Sequence, residues 1–265
     1  MEKIKLKYDT HRNNPSDINE YSETRKSIGI CVTGLLRTWD SCYKNLVKNL
    51  IDANKDYHFY LIGYIVGIEN KDVFEEKYKF DIVVNGNDIE LPNLEYQKNN
   101  YTRNLGTYHC VNAYYQLYDL KQVGNLIDIF EKENSISLDY IIRTRSDLDI
   151  LKPLKLPIPN DNTIYIPRGH DWHGYNDRFA YGNKKDMMTY MSRYDFWMKE
   201  NNHIPKYSTH IESNLKIYLD SKNIKVDRLN DLNYSFKRNI NGNEINVEGF
   251  YNNKVYRGSN NIIKL

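Results

Sequence analysis

The sequence predicts an α/β protein in which helices flank a mostly parallel sheet. Short apolar, β-branched runs alternate with stretches of helical periodicity, which is typical of parallel strands joined by helical crossovers. No internal repeat and no linker divide the chain, so we expect a single folded domain over residues 27–265. Residues 1–26 are polar and are predicted to form an N-terminal arm outside that domain.

The first half of the domain contains three predicted strands. SIGICVTGLLRTW (27–39) indicates a strand, a glycine-containing turn and the start of a helix. Strands are then predicted at 57–66 and 81–86, with a lysine-rich helix between them. The first helix is indicated by apolar residues at helical spacing, namely Tyr43, Leu46, Val47, Leu50 and Ile51.

The second half continues the alternation. Residues 107–133 have a helical period that is interrupted near Gly124, which predicts two helices or one long broken helix. LDYIIRT (138–144) and TIYIP (163–167) are predicted strands. Two helical stretches follow, around 184–200 and 209–222, before an asparagine-rich end that has room for one or two short strands.

The composition excludes several functional classes. The 37 Lys and Arg residues nearly balance the 35 Asp and Glu residues, so no overall field favours nucleic acid. The longest apolar stretch, 59–68, is too short to span a membrane, and the N-terminus lacks the apolar core of a signal peptide. The three cysteines are widely spaced without a disulfide or zinc pattern, so we expect a cytoplasmic protein.

A pair of aspartates follows the apolar strand at 138–144. On an extended backbone, alternate residues share a face, so Arg143, Arg145, Asp147 and Asp149 are predicted to project the same way. Two carboxylates on one face suit Mg²⁺ or Mn²⁺ bound to a diphosphate. Asp147 and Asp149 are therefore the predicted metal ligands. A surface ion pair between arginine and aspartate is the simpler alternative.

Three motifs together resemble one enzyme family. DYIIRTRSD (139–147) resembles the YD-x-hydrophobic-x-R-x-R-x-D signature of GT-A fold glycosyltransferases found in microbial and large-virus genomes. VTGLLRTW (32–39) is similar to their SG-x-x-R turn, and NDRFAYG (176–182) is similar to their ND-x-F-x-x-G motif. Many members have only the first aspartate of the signature, so the role of Asp149 depends on the general Asp-x-Asp argument.

The resemblance implies a GT-A-like sheet and a nucleotide-sugar site at the end of the first strand. Arg37 is expected to face the base or a phosphate, although an arginine that caps the following helix is an alternative. Arg143 or Arg145 would contact the diphosphate or support the aspartates, since a guanidinium can bridge two oxygens. The expected donor-binding residues are Thr33, Gly34, Arg37, Arg143, Arg145, Asp147, His170, Trp172 and Asn176.

The predicted loop GHDWHGYNDRFAYG (169–182) is rich in groups that contact sugars. An inverting transfer, which the resemblance favours, needs a carboxylate to remove the acceptor proton, and Asp177 or Asp171 is a candidate. Glu212 is a third candidate. It also has capping-box spacing after Thr209, which by itself explains both residues.

The sequence thus predicts an enzyme, a hexosyl- or pentosyltransferase, dependent on Mn²⁺ or Mg²⁺. Its expected partners are a nucleotide-sugar donor, UDP-linked by preference, and a glycan acceptor. A nucleotidyltransferase or sugar phosphotransferase is an alternative, but the chain has no P-loop or dinucleotide-binding glycine motif. A non-catalytic carbohydrate-binding protein that uses its 24 tyrosines is a second alternative.

Overall fold

Strands and helices alternate along the chain as the periodicity predicts. The computed structural model describes residues 25–36, 38–86, 90, 92–100, 106–199, 210–240 and 243–248, so the predicted N-terminal arm lies outside the described residues except for its last two. The strands are β1 (Ser27–Leu35), β2 (His58–Val66), β3 (Ile82–Asn85), β4 (Tyr140–Arg145), β5 (Leu148–Ile150), β6 (Thr163–Pro167), β7 (Ala180–Asn183), β8 (Lys225–Leu229), β9 (Tyr234–Ile240) and β10 (Asn243–Glu248). The helices are α1 (Trp39–Leu46), α2 (Lys71–Tyr78), α3 (Glu95–Asn100), α4 (Gly106–Asn134), α5 (Lys184–Met191), α6 (Arg193–Met198) and α7 (Ile211–Ser221).

The main sheet is mostly parallel, as predicted. Within the described residues it has seven strands in the order β3-β2-β1-β4-β7-β6-β8. Only β7 among these runs antiparallel to its neighbours, β4 and β6. Helices flank the sheet, and the prediction of an α/β domain with a mostly parallel sheet is confirmed.

Apolar side chains cover both faces of this sheet, which is why its central strands are continuous apolar runs. Along β1, Ile28, Ile30 and Val32 pack with α1 and α2 on one side, while Cys31 packs with α4 on the other. All four side chains are fully buried. The alternation of strand residues between the two layers therefore holds β1 at the centre of the domain.

A smaller antiparallel sheet is formed by β10, β9 and β5. The asparagine-rich end of the chain supplies two of these strands, and Leu148 pairs with Phe236 in register. Leu148, Ile150, Tyr234 and Phe236 are buried against the α1 side of the main sheet. The small sheet thus extends the fold directly after the predicted aspartate motif.

Two local expectations are wrong. Residues 143–149 do not form one extended strand, because the chain turns at Ser146 and Asp147 and continues into the other sheet as β5. The helix α4 runs without interruption through Gly124. A Cβ at Gly124 would lie 3.5 Å from Cβ of Met191, which is an ordinary van der Waals contact, so the glycine lies inside α4 beside α5 and does not end the helix.

Candidate functional site

The site lies where the carboxyl ends of β1 and β4 meet. The chain order in the sheet reverses between these two strands, and ligand crevices in open α/β sheets lie outside such a switch point. The turn after β4 is fastened to the end of β1, because the Ser146 amide donates to the Thr33 carbonyl at 3.0 Å and its hydroxyl donates to the Leu35 carbonyl at 2.7 Å. The structure therefore places this turn beside the predicted donor-binding segment.

Gly34 is required by the shape of this corner. Its φ is +117°, which side chains rarely adopt, and an added Cβ would lie 3.2 Å from Oγ of Ser146. Thr33 lies next to it, with a buried side chain. Arg37, the third predicted residue of this turn, lies outside the described residues.

Arg145 and Asp147 meet in a two-pronged ion pair. Nε and Nη2 of Arg145 donate to the two carboxylate oxygens of Asp147 at 2.8 and 3.0 Å. The guanidinium also lies over the ring of Phe236, at 5.1 Å from its centroid. Planar charge-assisted contacts of this kind hold both groups in a defined orientation. The structure therefore brings together two of the predicted residues at the mouth of the crevice.

Asp149 has different partners. Its Oδ1 accepts a hydrogen bond from Nδ2 of Asn45 at 2.7 Å, and its Oδ2 lies 3.3 Å from Nζ of Lys237. Asn45 belongs to α1 and Lys237 to β9, so the carboxylate joins two elements across the start of the small sheet. Both of its oxygens are engaged within the protein.

These contacts test the predicted metal site against the donor groups. A cation bound by both aspartates would have to displace Arg145 from Asp147 and Lys237 from Asp149. Across the part of the chain that the structure describes, no group of three His, Cys, Asp or Glu side chains is arranged to hold a metal ion. The described donor groups therefore do not fit a two-aspartate centre, and the metal remains a prediction from the sequence.

Asp177 is anchored from the interior. Its backbone carbonyl accepts hydrogen bonds from Nη1 of Arg143 and, at 3.2 Å, from the Tyr190 hydroxyl. Its carboxylate lies 3.5 Å from Nη2 of Arg193, and both side chains are almost completely buried. Arg143 is 1% exposed. Arg143 thus supports the site from within, and Asp177 balances the charge of Arg193.

Glu212 lies in a pair with His210 at the start of α7. Nδ1 of His210 is 2.8 Å from Oε2 of Glu212. Burial raises the pKa of Glu212, and the negative charge of Asp177 raises it further, against the opposing effect of His210. Burial disfavours the charged form of His210, but its contact with Glu212 outweighs this and raises its pKa. The Glu212 carboxyl therefore takes up a proton at a higher pH than an ordinary glutamate does.

The capping explanation for Glu212 is wrong. The helix α7 begins at Ile211, and His210 occupies the N-cap position without a side-chain capping bond. Glu212 is therefore the second helical residue, where a capping-box glutamate would be the third. Thr209 lies outside the described residues. The carboxyl of Glu212 therefore pairs with His210 instead of completing a capping box with Thr209.

The loop between β6 and β7 carries the remaining predicted residues. Asn176 is fully buried, and its Nδ2 donates to the Gly169 carbonyl at 2.7 Å and to the Tyr234 hydroxyl at 2.9 Å. Asp171 accepts hydrogen bonds from the Asn176 amide at 3.0 Å and from Nη1 of Arg228 at 2.8 Å. These two side chains hold the loop in shape.

His170 and Trp172 belong to the same loop and differ in exposure. Burial is the main cause that lowers the pKa of His170 to about 4, with a contribution from Arg178, so this imidazole is neutral near pH 7. Trp172 is 53% exposed. Of the two residues, Trp172 is the one whose ring is open to solvent.

Sequence reasoning missed three contributors to the site, namely Asn45, Phe236 and Lys237. Each approaches the aspartate turn from an element distant in the chain. Phe236 and Lys237 are consecutive residues of β9. The pairing of β9 with β5 has no local signature in the sequence. A motif search along 139–149 therefore could not have found them.

A model of one protein family matches most of this chain. The model of the family described as "Domain of unknown function (DUF7796)" matches residues 23–233. The chain belongs to this family. The matched region includes β1 to β8 and the candidate residues from Thr33 to Glu212, and it ends before β9.

The other comparisons add little. No curated protein matches the chain. One solved structure that aligns with it is described as "crystal structure of a glycosyltransferase involved in the glycosylation of the major capsid of PBCV-1". The alignment has 10% identity, covers 77% of this chain and 82% of that chain, and has a TM-score of 0.37. A likeness this weak carries no inference about activity. No helix among the described residues has the length and apolarity to cross a membrane.

Proposed function

We propose that this chain is a glycosyltransferase that moves a sugar from a nucleotide-diphosphate sugar, UDP-linked by preference, to a hydroxyl of a glycan. The observation that carries the proposal is the arrangement at the carboxyl edge of the sheet. Arg145 and Asp147 lie at the switch-point crevice, and Glu212, which pairs with His210, lies near Arg145. Burial lowers the pKa of Arg145, and the negative charges of Asp177 and Glu212 oppose that shift. A cation that can bind phosphate, Arg145, and a carboxyl that can act as a base, Glu212, thus lie at the same edge of the main sheet.

In this proposal the nucleotide binds at the carboxyl ends of β1 and β4. The turn at Ser146 is hydrogen-bonded to Leu35 at the end of β1, and diphosphate oxygens would approach the Arg145 guanidinium beside it. A planar guanidinium can bridge two phosphate oxygens, and it stabilises negative charge that develops on the departing diphosphate. Arg145 is therefore the proposed diphosphate-binding residue, and Asp147 orients it.

Glu212 is the proposed general base. A carboxyl group whose pKa is raised is a stronger base in its ionised form than an ordinary surface glutamate. It would accept the proton from the acceptor hydroxyl as that oxygen attacks the sugar carbon and the nucleotide diphosphate leaves. This single displacement inverts the sugar carbon. Asp171 and Asp177 are less suited, because Arg228 and Arg193 already engage their carboxylates.

The sequence-based dependence on Mn²⁺ or Mg²⁺ is part of the proposal that needs its own test. A cation at Asp147 would replace Arg145 in that contact. Mn²⁺ or Mg²⁺ would supply charge neutralisation at the diphosphate. No step described above for Arg145 or Glu212 requires it.

Thermal melting with nucleotides tests the proposal. We expect one of UDP, GDP, CDP or dTDP to raise the melting temperature, and each should be measured with Mn²⁺, with Mg²⁺ and with chelator. Asp147→Ala should keep a cooperative melt but lose the nucleotide shift and sugar transfer. Asp195→Ala, at an exposed carboxylate on α6, is the matched control. Full transfer by the Asp147 variant, or no shift with any nucleotide, would contradict the assignment.

A carbohydrate-binding protein without catalysis is the second candidate, because Trp172 presents an open ring at the same edge. Stabilisation by free glycans in the absence of any nucleotide effect would favour it. Stabilisation by a nucleotide that is lost in Asp147→Ala would favour the enzyme.

A further inference from the structure

Trp172 is unlike the other two tryptophans of the chain. Trp39 is 1% exposed and Trp197 is 3% exposed, and both pack in the core, whereas Trp172 is 53% exposed on the loop between β6 and β7. An exposed indole gives up apolar burial that an aromatic ring of this size would otherwise gain. A ligand that covers the Trp172 ring would recover that apolar burial.

The backbone that carries Trp172 has an uncommon and energetically costly conformation. His170, Trp172 and His173 have φ values of 54°, 36° and 68°, which non-glycine residues rarely adopt. Conformations of this kind persist where surrounding contacts enforce them, and they cluster at ligand sites.

Contacts with α7 enforce this conformation. The Tyr175 amide donates to the Glu212 carbonyl at 3.0 Å, and the Ser213 hydroxyl donates to the Trp172 carbonyl at 3.3 Å. At Gly174 an added Cβ would lie 1.8 Å from the carbonyl oxygen of Glu212, so the two backbones touch. The loop holds Trp172 against the same helix end that carries the proposed base.

The sheet order separates Trp172 from the donor crevice. In the order β1-β4-β7-β6, the crevice lies between β1 and β4, whereas the loop joins β6 to β7 at the same edge. Strands are about 4.8 Å apart, so the loop is centred roughly 10 Å from the crevice. A nucleotide at β1 would thus lie apart from Trp172, whose loop contacts the start of α7.

We propose that Trp172 is the platform on which a pyranose ring of the acceptor glycan stacks. The apolar C–H face of a sugar ring matches an indole face, while its hydroxyls stay available for polar groups. Tyr175 does not compete for this role, because Lys216 and Arg228 lie over its ring at 5.2 and 5.6 Å. The inference rests on the proposed glycosyl transfer and departs from the sequence expectation that Trp172 binds the donor.

Fluorescence quenching tests the platform directly. Because the other two tryptophans are buried, acrylamide quenches mainly Trp172, and Trp172→Phe should remove that quenchable fraction. We expect millimolar methyl glycosides of glucose, galactose, mannose, xylose and N-acetylglucosamine, or their disaccharides, to protect Trp172, with at least one sugar effective. UDP and the other nucleotides should give no protection. Protection by nucleotides alone, or by none of these probes, would overturn the proposal.

Transfer kinetics provide the second measurement. Trp172→Ala should raise the acceptor KM about three- to tenfold, without a matching rise in the donor KM. Trp172→Phe retains a ring and should restore most of the acceptor affinity. Ile158→Ala, at an exposed apolar side chain elsewhere on the surface, is the control and should change neither KM. An equal rise in both KM values would contradict the acceptor assignment.

The two proposals fail in distinguishable ways. If the wild-type chain transfers no sugar from any nucleotide donor, the proposed function fails, yet glycoside protection of Trp172 still supports a sugar platform. If transfer occurs and Trp172→Ala leaves the acceptor KM unchanged, the platform fails and the proposed function stands.

Discussion

Two pairs of residues at the carboxyl edge of the sheet differ in how their charges are matched. The first pair is Asp147 and Asp149, and the second pair is Glu212 and His210. Asp147 and Asp149 each face a permanent cation, Arg145 or Lys237. Glu212 faces His210, whose own charge depends on pH. A fixed ion pair orients groups, whereas a carboxyl whose pKa is raised by burial accepts a proton at a higher pH than an ordinary glutamate. We therefore assign the orientation of Arg145 to Asp147, a structural role to Asp149 and proton transfer to Glu212.

The sharpest test of this contrast is Glu212→Gln. Loss of a general base lowers kcat by about 10²- to 10⁴-fold. The nucleotide-induced thermal shift should remain, because Arg145 and Asp147 are untouched. Initial rates at saturating donor and acceptor measure the effect, with Glu76→Gln on α2 as the exposed control. A variant as active as the wild type would remove Glu212 from the chemistry.

The pH dependence of the wild-type rate follows from the same group. The raised pKa of Glu212 means that the base becomes protonated, and the rate falls, at a pH above the ordinary range for glutamate. A profile of kcat against pH should therefore decline on its acid side, and Glu212→Gln should flatten that limb. An identical acid limb in the variant would assign the titration to another group.

Removing Asp149 should instead affect folding. Asp149→Ala leaves Lys237 without its buried counter-charge, which costs about 3 kcal/mol of unfolding free energy. Lys237→Met in the same chain should recover most of that loss. Urea unfolding of both single variants and the double variant measures the coupling. The exposed pair Lys121 and Asp195 should couple by only about 0–1 kcal/mol, and a similarly small value for Asp149 would contradict a structural role.

Gly174→Ala should disturb the loop beside the second pair. The new Cβ cannot fit 1.8 Å from the Glu212 carbonyl, so the backbone must move, at a cost of about 2–3 kcal/mol. In Gly174→Ala both kcat/KM for the acceptor and the free energy of unfolding should fall. Gly124→Ala is the matched control, because its Cβ would meet only Met191 at 3.5 Å and a helix interior gains about 0.5–1 kcal/mol from alanine. Equal effects of the two changes would show that the loop contact is unimportant.

Asp119 gives the smallest expected effect and extends the contrast to a carboxyl in the core. Burial raises the pKa of Asp119 to about 7, although Arg143 opposes the shift. A raised carboxyl pKa stabilises the fold fully below the unfolded value of 3.8, and this stability is lost as the pH rises through about 7. Asp119→Asn should therefore gain about 2 kcal/mol over the wild type between pH 5 and pH 8.

Urea midpoints at the two pH values measure this difference. Asp128→Asn, at an exposed position of the same helix, should show no such pH dependence. A wild-type protein whose stability relative to Asp119→Asn stays constant between pH 5 and pH 8 would rule out a titrating Asp119.

The alternation of apolar runs and helical periods predicted the sheet because burial of parallel strands on both faces leaves a local mark in the sequence. The same local marks placed Gly34 at a turn and Asp147 just beyond a strand. They also misled at Gly124, which lies inside α4 rather than at a helix end. Local signals thus predicted elements and their ends.

By itself the sequence determined the α/β class, the strand ends at the crevice and the candidate carboxylates, since each depends on residues near one another in the chain. Only the tertiary structure decided that Asp149 belongs with Lys237 rather than with Asp147, and that Glu212 faces His210 without capping its helix. The physical reason is that the charge state and the orientation of a buried side chain depend on neighbours brought by other elements. Pairing of β5 with β9, and the contact of the β6–β7 loop with α7, are long-range events without a periodic signal.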